Sequence, residues 1–297
     1  MSPHPSPVAR AEIARGIFFM LLAALLFSCM DALVKLATDR HPTGQIVFFR
    51  NVFALLPLYF FVRQAGGLAI LRTQRLVQHI LRSLTGIASM IFGFLAYAWM
   101  PLADAVAIGL SGPIFLTALS VPLLGEHVGW RRWAAVFAGF IGILVITRPG
   151  SGVFGLAALL PLAGAFFYAF AMVQIRKLST SEPPASIVFY FTISAIVLSA
   201  VSLPWQWVAP TPLSLVYLIG IGLVGGFAQM AMTHAFRLAP VAVVAPFDYT
   251  ALVFATGFGY AIWGQVPDRY VWAGAAIVIA SGLYILHRET VRRRQAS

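Results

Sequence analysis

The sequence predicts an all-α integral membrane protein: ten transmembrane helices in two inverted five-helix repeats. Three observations carry that expectation. The chain is 60% hydrophobic and 10% charged, with a mean hydropathy of +0.89, where a soluble domain is about 25% charged. Its apolar runs recur at the length that spans a bilayer, about 20 residues for about 30 Å of hydrocarbon. Its second half also repeats the first in register.

Taken in order, the apolar runs are 16–37, 44–62, 80–100, 102–124, 130–147, 155–175, 186–207, 213–236, 239–263 and 270–287. Helices are expected throughout, because an open sheet edge in lipid leaves backbone groups without partners. Residues 1–15 read as a polar, Pro-rich cytoplasmic tail. Residues 16–30 resemble a signal peptide, with Leu26-Phe27-Ser28-Cys29 in the place of a lipoprotein cleavage site. The run continues to Ala37, however, and its counterpart recurs in the second half, so a retained first span is expected. The single cysteine, Cys29, offers no intramolecular disulfide.

Charge sets the expected orientation. With the N-terminus inside, fifteen Lys and Arg residues fall on inner segments and their flanks, Arg82 among them. Only Arg40, Arg148 and Arg269 fall outside, while Lys35 and Arg50 lie within spans. This positive-inside bias puts both termini in the cytoplasm, with the inner membrane as the location. The net charge of +11 therefore reflects topology. Arg292-Arg293-Arg294, in the tail 289–297, reads as an anchor at anionic lipid rather than a nucleic-acid contact.

The repeat is read from spacing. His41-Pro42 and Ile46 to Arg50 parallel Glu182-Pro183 and Ile187 to Phe191, 141 residues along. At a shift of 139, Gly86 meets Gly225, Ala96 meets Ala235, Pro101 meets Pro240, Ala103 meets Ala242, Gly125 meets Gly264 and Trp133 meets Trp272. The first repeat is expected over 16–148 and the second over 149–288. Five spans is an odd number, so the copies must face opposite ways, as in secondary transporters with a site at the midplane.

These residues also carry a family resemblance covering about residues 16–288. Ala96-Tyr97 and Ala235-Phe236, Pro113, and Gly125-Glu126 (Gly264-Gln265 in the second copy) are similar to features of the drug/metabolite transporter superfamily, in its bacterial EamA-type branch. Within that branch, Gly44 to Arg50 and Ala245 to Thr250 look most like bacterial riboflavin importers. His79-Ile80-Leu81-Arg82 is similar to a stretch of S-adenosylmethionine uptake carriers. The resemblance implies import of riboflavin or a similar planar metabolite. Export of amino acids or metabolites and S-adenosylmethionine carriage are the alternatives.

Candidate solute or gating residues follow from polarity inside the spans. Asp248 shares a helix face with Ala251, Ala255 and Gly259, while Phe247, Phe254 and Phe258 fall elsewhere. Small residues let helices approach inside a membrane, so Asp248 should point into the bundle, where an ionisable group marks function. The bland alternative is a carboxylate satisfied by a neighbouring helix. In span one, Ala24, Ser28, Asp31 and Lys35 share a face. Asp31 lies about 22 Å from the inner start of that span and Arg50 about 9 Å from the outer start of the next, so their depths coincide and they are expected to pair. That pair could equally serve only to fix two helices. Gln229 and His234 approach the depth of Asp248, although His234 also reads as a helix-end packing residue. Tyr97, Trp99, Tyr168 and Gln174 would supply stacking and hydrogen bonds to a planar solute, with Tyr249 beside Asp248.

Enzyme signatures are missing: HExxH, paired CxxC, GxSxG and GxxxxGK[ST] are all absent from the sequence, so zinc chemistry, serine hydrolysis and ATP hydrolysis have no support. No cofactor or metal is expected. The expected partners are a small-molecule solute, membrane lipid and, if copies associate, a second chain in a homodimer. A non-transporting membrane enzyme or receptor is the alternative from another class, and gives no reason for inverted repeats. A reporter fused after Ser297 should be active only in its cytoplasmic form. Activity confined to the periplasmic form would reverse the topology.

Overall fold

The structure is a computed structural model describing residues 7–125, 128–148, 155–239 and 241–296. Residues 1–6 of the expected tail, Glu126 and Pro240 lie outside the described residues. Twelve α-helices run through the described residues: α1 Pro7–Thr38, α2 Thr43–Gln64, α3 Leu76–Trp99, α4 Leu102–Gly109, α5 Gly112–Leu124, α6 Trp130–Thr147, α7 Leu159–Leu178, α8 Pro184–Gln206, α9 Pro212–Leu238, α10 Val241–Val244, α11 Ala251–Trp263 and α12 Arg269–Ala296. Short 3-10 stretches occupy Gly67–Leu71, Gly155–Ala158 and Ala245–Thr250.

Seven helical stretches are long and apolar enough to cross a membrane: Ala11–Thr38, Thr43–Gln64, Leu76–Trp99, Leu102–Leu124, Gly155–Leu178, Pro184–Gln206 and Pro212–Leu238. Trp133–Thr147 and Arg269–Ile285 are shorter apolar helices. Large apolar side chains such as Phe18, Leu56, Phe60, Phe137, Val201 and Val253 point outward and exposed. Such a surface suits lipid, which has no quarrel with apolar side chains. The chain is an all-helical, multi-pass membrane protein.

Three differences from the expected spans are the largest. The first helix starts at Pro7 rather than residue 16, and the last continues to Ala296 rather than stopping at 287. No proline or glycine interrupts residues 286–296, and basic residues in a final turn suit the helix dipole. The third difference is more consequential: spans four and nine are broken. The fourth divides into α4 and α5 at Leu110-Ser111, and the ninth into α10, the 3-10 stretch and α11. Pro113 and Pro246 sit in the first turns of the segments that follow each break. Proline lacks an N–H and disfavours helix in the residue before it. Leu110 and Tyr249, one in each break, are 139 residues apart.

The packing is built from matching contacts. Helix α1 packs on α9 and α3 on α7; α2 packs on α9 and α3 on α8; α5 lies on α7 and α11 on α1; α2 meets α8, and α6 meets α12. Replacing each helix by its counterpart in the other half maps this set onto itself. The same holds at single residues. A Cβ on Gly274 would lie 2.5 Å from the Gly142 carbonyl oxygen, and the pair 139 residues displaced, Ala135 and Ser281, is joined by a Ser281 Oγ–H donating to the Ala135 carbonyl at 2.5 Å. Likewise Gly86 abuts Phe191, while Gly225 lies beside Arg50. Gly125 and Gly264 end α5 and α11 in the left-handed conformation, at φ 66° and 65°, which glycine adopts without Cβ strain.

Two clamps hold opposite ends of α2 and α8. At one, the buried Gln45 side chain donates to the Val208 carbonyl (2.8 Å) and accepts from its N–H (3.2 Å). At the other, Thr73 Oγ1 donates to Glu182 (2.7 Å), Tyr190 Oη donates to the Leu71 carbonyl (2.7 Å), and His79 lies 3.7 Å from Glu182. A groove of about 750 Å³ opens at the Gln45 end, lined by Thr38, His41, Val47, Ile87, Trp99 and Ser202 among others.

The α6–α12 seam needs small residues on both sides. Gly274→Leu should lower the melting temperature in detergent, at a cost of about 1–3 kcal/mol or more from overpacking. Unchanged melting would mean that the seam is looser than described.

Candidate functional site

Helix α1 fixes the site because its polar face is largely consumed by structure. Ala24 and Ser28 are buried, and Ser28 Oγ donates to the Ala251 carbonyl (3.2 Å), tying α1 to α11. Lys35 Nζ donates to the carbonyls of Tyr97 (2.7 Å) and Met100 (2.8 Å). It thereby satisfies orphan carbonyls at the end of α3 and complements that helix's dipole. Asp31 is left facing inward, in electrostatic reach of Tyr97.

Across from it, Arg50 on α2 is 7% exposed and donates through Nη1 to Asn51 Oδ1 at 2.9 Å. Asn51 is itself buried and held by the Val47 carbonyl, 2.8 Å from its Nδ2. Asp31 and Arg50 are within electrostatic reach but do not form a contact ion pair. The expected pairing is thus looser than a salt bridge, and Arg50 has its hydrogen bond with Asn51.

Arg82 on α3 is 9% exposed, and its guanidinium carbon lies 4.0 Å from the centre of the Phe191 ring. Arg50 approaches the same ring at 5.9 Å. Gln229 and Thr192 line the narrow gap beside these groups. Tyr168 on α7 is in electrostatic reach of both Arg82 and Asp248. Asp248 lies in the 3-10 stretch that interrupts the ninth span, with its side chain exposed. The polar groups therefore follow one another as Asp248, Tyr168, Arg82, Arg50, Asp31 and Tyr97. Interactions among charges are far stronger in such an interior than in water.

Four expected residues stand apart. Trp99, 72% exposed at the end of α3, lines the large groove. Gln174 is buried in α7. His234 stacks on Phe19 with ring centres 5.6 Å apart, which is the packing alternative. Tyr249 turns from Asp248 towards α12, with its buried hydroxyl against Gly282. Between groove and arginines lies an apolar layer: Ile87 lines the groove and clusters with Phe191 and Ala195.

The description of an EamA-like transporter family matches residues 14–148 and again residues 155–286. The chain belongs to this family. Among its relatives, a riboflavin transporter of Vibrio cholerae is 30% identical over 95% of this chain and 96% of that protein. A pseudopaline exporter of Pseudomonas aeruginosa is 34% identical over 90% and 94%. An S-adenosylmethionine uptake transporter of Rickettsia prowazekii is 31% identical over 92% and 93%. A solved crystal structure shares the fold with a TM-score of 0.66, at 20% identity over 96% of this chain and 99% of that one. This EamA-like protein is a membrane transporter rather than an enzyme, and no group of three or more metal-ligating residues occurs among its described residues.

Arg82 and Phe191 are additions to the expected site. Arg82 was counted as a positive flank of span three, yet it is enclosed by α3, α8 and the Arg50 side chain. The signal that finds it is the one applied to Asp248: Arg82, Gly86, Ser89 and Gly93 form a small-residue face on α3. Phe191 lies 141 residues after Arg50 and presents its ring to that cation.

Asp31→Asn and Arg50→Gln should each lower stability or transport, with a coupling energy of about 0.5–3 kcal/mol between them. Simple additivity in the double variant would show that the two charges act independently.

Proposed function

We propose that the chain is a secondary carrier that moves a small organic metabolite across the bacterial inner membrane by alternating access between two inverted halves. The observation that carries this reading is the pair of helix breaks at equivalent positions, with Asp248 in one of them. Interrupted helices at membrane depth are the device by which such carriers build a site. The self-mapping helix contacts and the two separate family matches support halves of 16–148 and 149–288. Ten crossings follow when the two shorter apolar helices and the broken ninth span join the seven long ones. Both termini then lie in the cytoplasm, in keeping with the basic bias.

In this reading the clamps are the gates. The Gln45–Val208 clamp belongs to the outer face and the Thr73–Glu182 clamp to the inner face. The two are built from equivalent loops, so opening one while keeping the other exchanges access to a common centre. The groove is the outer vestibule, and the layer of Ile87 and Phe191 closes it from the polar groups.

Riboflavin or a similar planar metabolite is the leading solute, with import the leading direction. Tyr97, Tyr168 and Phe191 offer aromatic surface, and a riboflavin transporter is similar over nearly the full chain. Export of a metabolite is the second reading, favoured by the similarity to a pseudopaline exporter.

Proteoliposomes holding only this protein should take up labelled riboflavin without ATP. No movement of riboflavin, with movement of another metabolite, would transfer the carrier to that solute; no movement of any member of a metabolite panel would count against a carrier. Asp248→Asn should leave the protein folded and inserted but cut transport at least about tenfold, the scale of one lost charge-assisted hydrogen bond. Normal transport with unchanged pH dependence would make Asp248 structural.

A further inference from the structure

Arg50 and Arg82 converge on one aromatic ring from two helices, and both are more than nine-tenths buried. Guanidinium groups do not lose their protons in proteins, so two positive charges stand together at the centre. Arg50 has one hydrogen bond to Asn51 and lies within reach of Asp31. Arg82 has Arg50, another cation, and the neutral Tyr168 as its electrostatic neighbours. Its Nε and Nη1, and Nε of Arg50, are buried with no hydrogen-bond acceptor among the described residues. A buried donor without an acceptor is costly, and a buried charge more so. The ring face of Phe191 offsets part of that cost through cation–π attraction. It accepts none of the in-plane N–H bonds.

We propose that Arg50 and Arg82 form a receptor for an oxyanion, a carboxylate or phosphate group carried by the solute. Guanidinium forks match the two oxygens of either group, and charge-assisted bonds of this kind are the strong ones. The gap beside them, bordered by Gln229 and Thr192, measures about 20 Å³, room for about one water-sized group. A single oxygen of the anionic group fits it in this conformation. The rest of the solute lies towards Tyr168 and Asp248, and the gap widens as α8 and α9 separate from α2 and α3. Naming the bearer of the group as the transported solute rests on the carrier reading; the oxyanion receptor itself does not.

Two matched pairs of probes isolate the charge: nicotinate against nicotinamide for a carboxylate, and riboflavin 5′-phosphate against riboflavin for a phosphate. Binding to the purified protein in detergent is measured by titration calorimetry, in buffer free of other carboxylates and phosphates. The charged member of at least one pair should bind at least about tenfold more tightly, the scale of one charge-assisted bond, and the pair that responds identifies the group. Arg82→Gln should abolish the preference. Arg82→Lys, which keeps the charge but not the fork, should reduce it at least about threefold while folding as the parent does. Equal binding within both pairs overturns the proposal, as does a preference that persists undiminished in the Arg82 variants. Transport is not read, so a failure of the carrier reading leaves this result intact.

Discussion

Two guanidinium groups enclosed among helices and surrounded by lipid impose the condition on which the rest of the structure depends. Arg50 and Arg82 cannot shed their charge, and their burial shuts out the bulk water that would stabilise it. The fold answers with several partial remedies instead of one neutralising contact. Asn51 accepts one N–H, Asp31 supplies an opposing field from α1, and Phe191 lies against both cations. Each remedy comes from a different helix. Keeping α1, α2, α3 and α8 in mutual register is therefore an electrostatic requirement as well as a packing one.

Small residues make that register attainable. Gly86 leaves space for Phe191 and the Arg82 side chain, while Gly225 leaves space for Met30 beside Arg50. Larger side chains at either place would push α3 from α8, or α9 from α1, and disturb the packing around the charges. The interrupted spans complete the arrangement. A continuous helix satisfies its own backbone and presents only side chains, whereas the 3-10 stretch Ala245–Thr250 interrupts the ninth span at Asp248. Polar groups thus gather between the helices, and apolar surface is left to the lipid. A solute entering there would meet charges whose hydrogen bonds are only partly satisfied, and its binding would be coupled to whichever helix separation admits it.

The sequence makes the fold legible to the extent that lipid simplifies the problem. Apolar runs locate α2, α6 and α8 within about two residues. The ends of α1 and α12 were misjudged because polar residues at a helix end carry no hydropathy signal, although helix can continue through them. The breaks at Pro113 and Pro246 lie in runs that remain apolar throughout, so hydropathy passes across them. Within the site, Asp31, Arg50 and Asp248 are conspicuous because charge is rare in a span. Arg82 hid near an end where positive residues are expected. Trp99 and Tyr249 show the converse: an aromatic side chain at the right depth has no fixed heading until its helix is oriented, and these two turn to the groove and to α12. Pairwise contact is less legible still. Equal depth brought Asp31 towards Arg50, but the Arg50 guanidinium is bonded to Asn51 and the two charges do not touch.

The central claim is that the polar centre is shared by two gates that open in turn. Spin labels in a Cys29→Ser background test it through distances at both ends: Asp39 with Ala209 across the Gln45–Val208 clamp, and Gln74 with Thr180 across the Thr73–Glu182 clamp. Electron–electron double resonance in nanodiscs should find two populations at each end. Addition of a solute that the protein transports should shift the two pairs in opposite senses, one lengthening as the other shortens. A single, unchanging distance at both ends, or both ends opening together, would contradict the account.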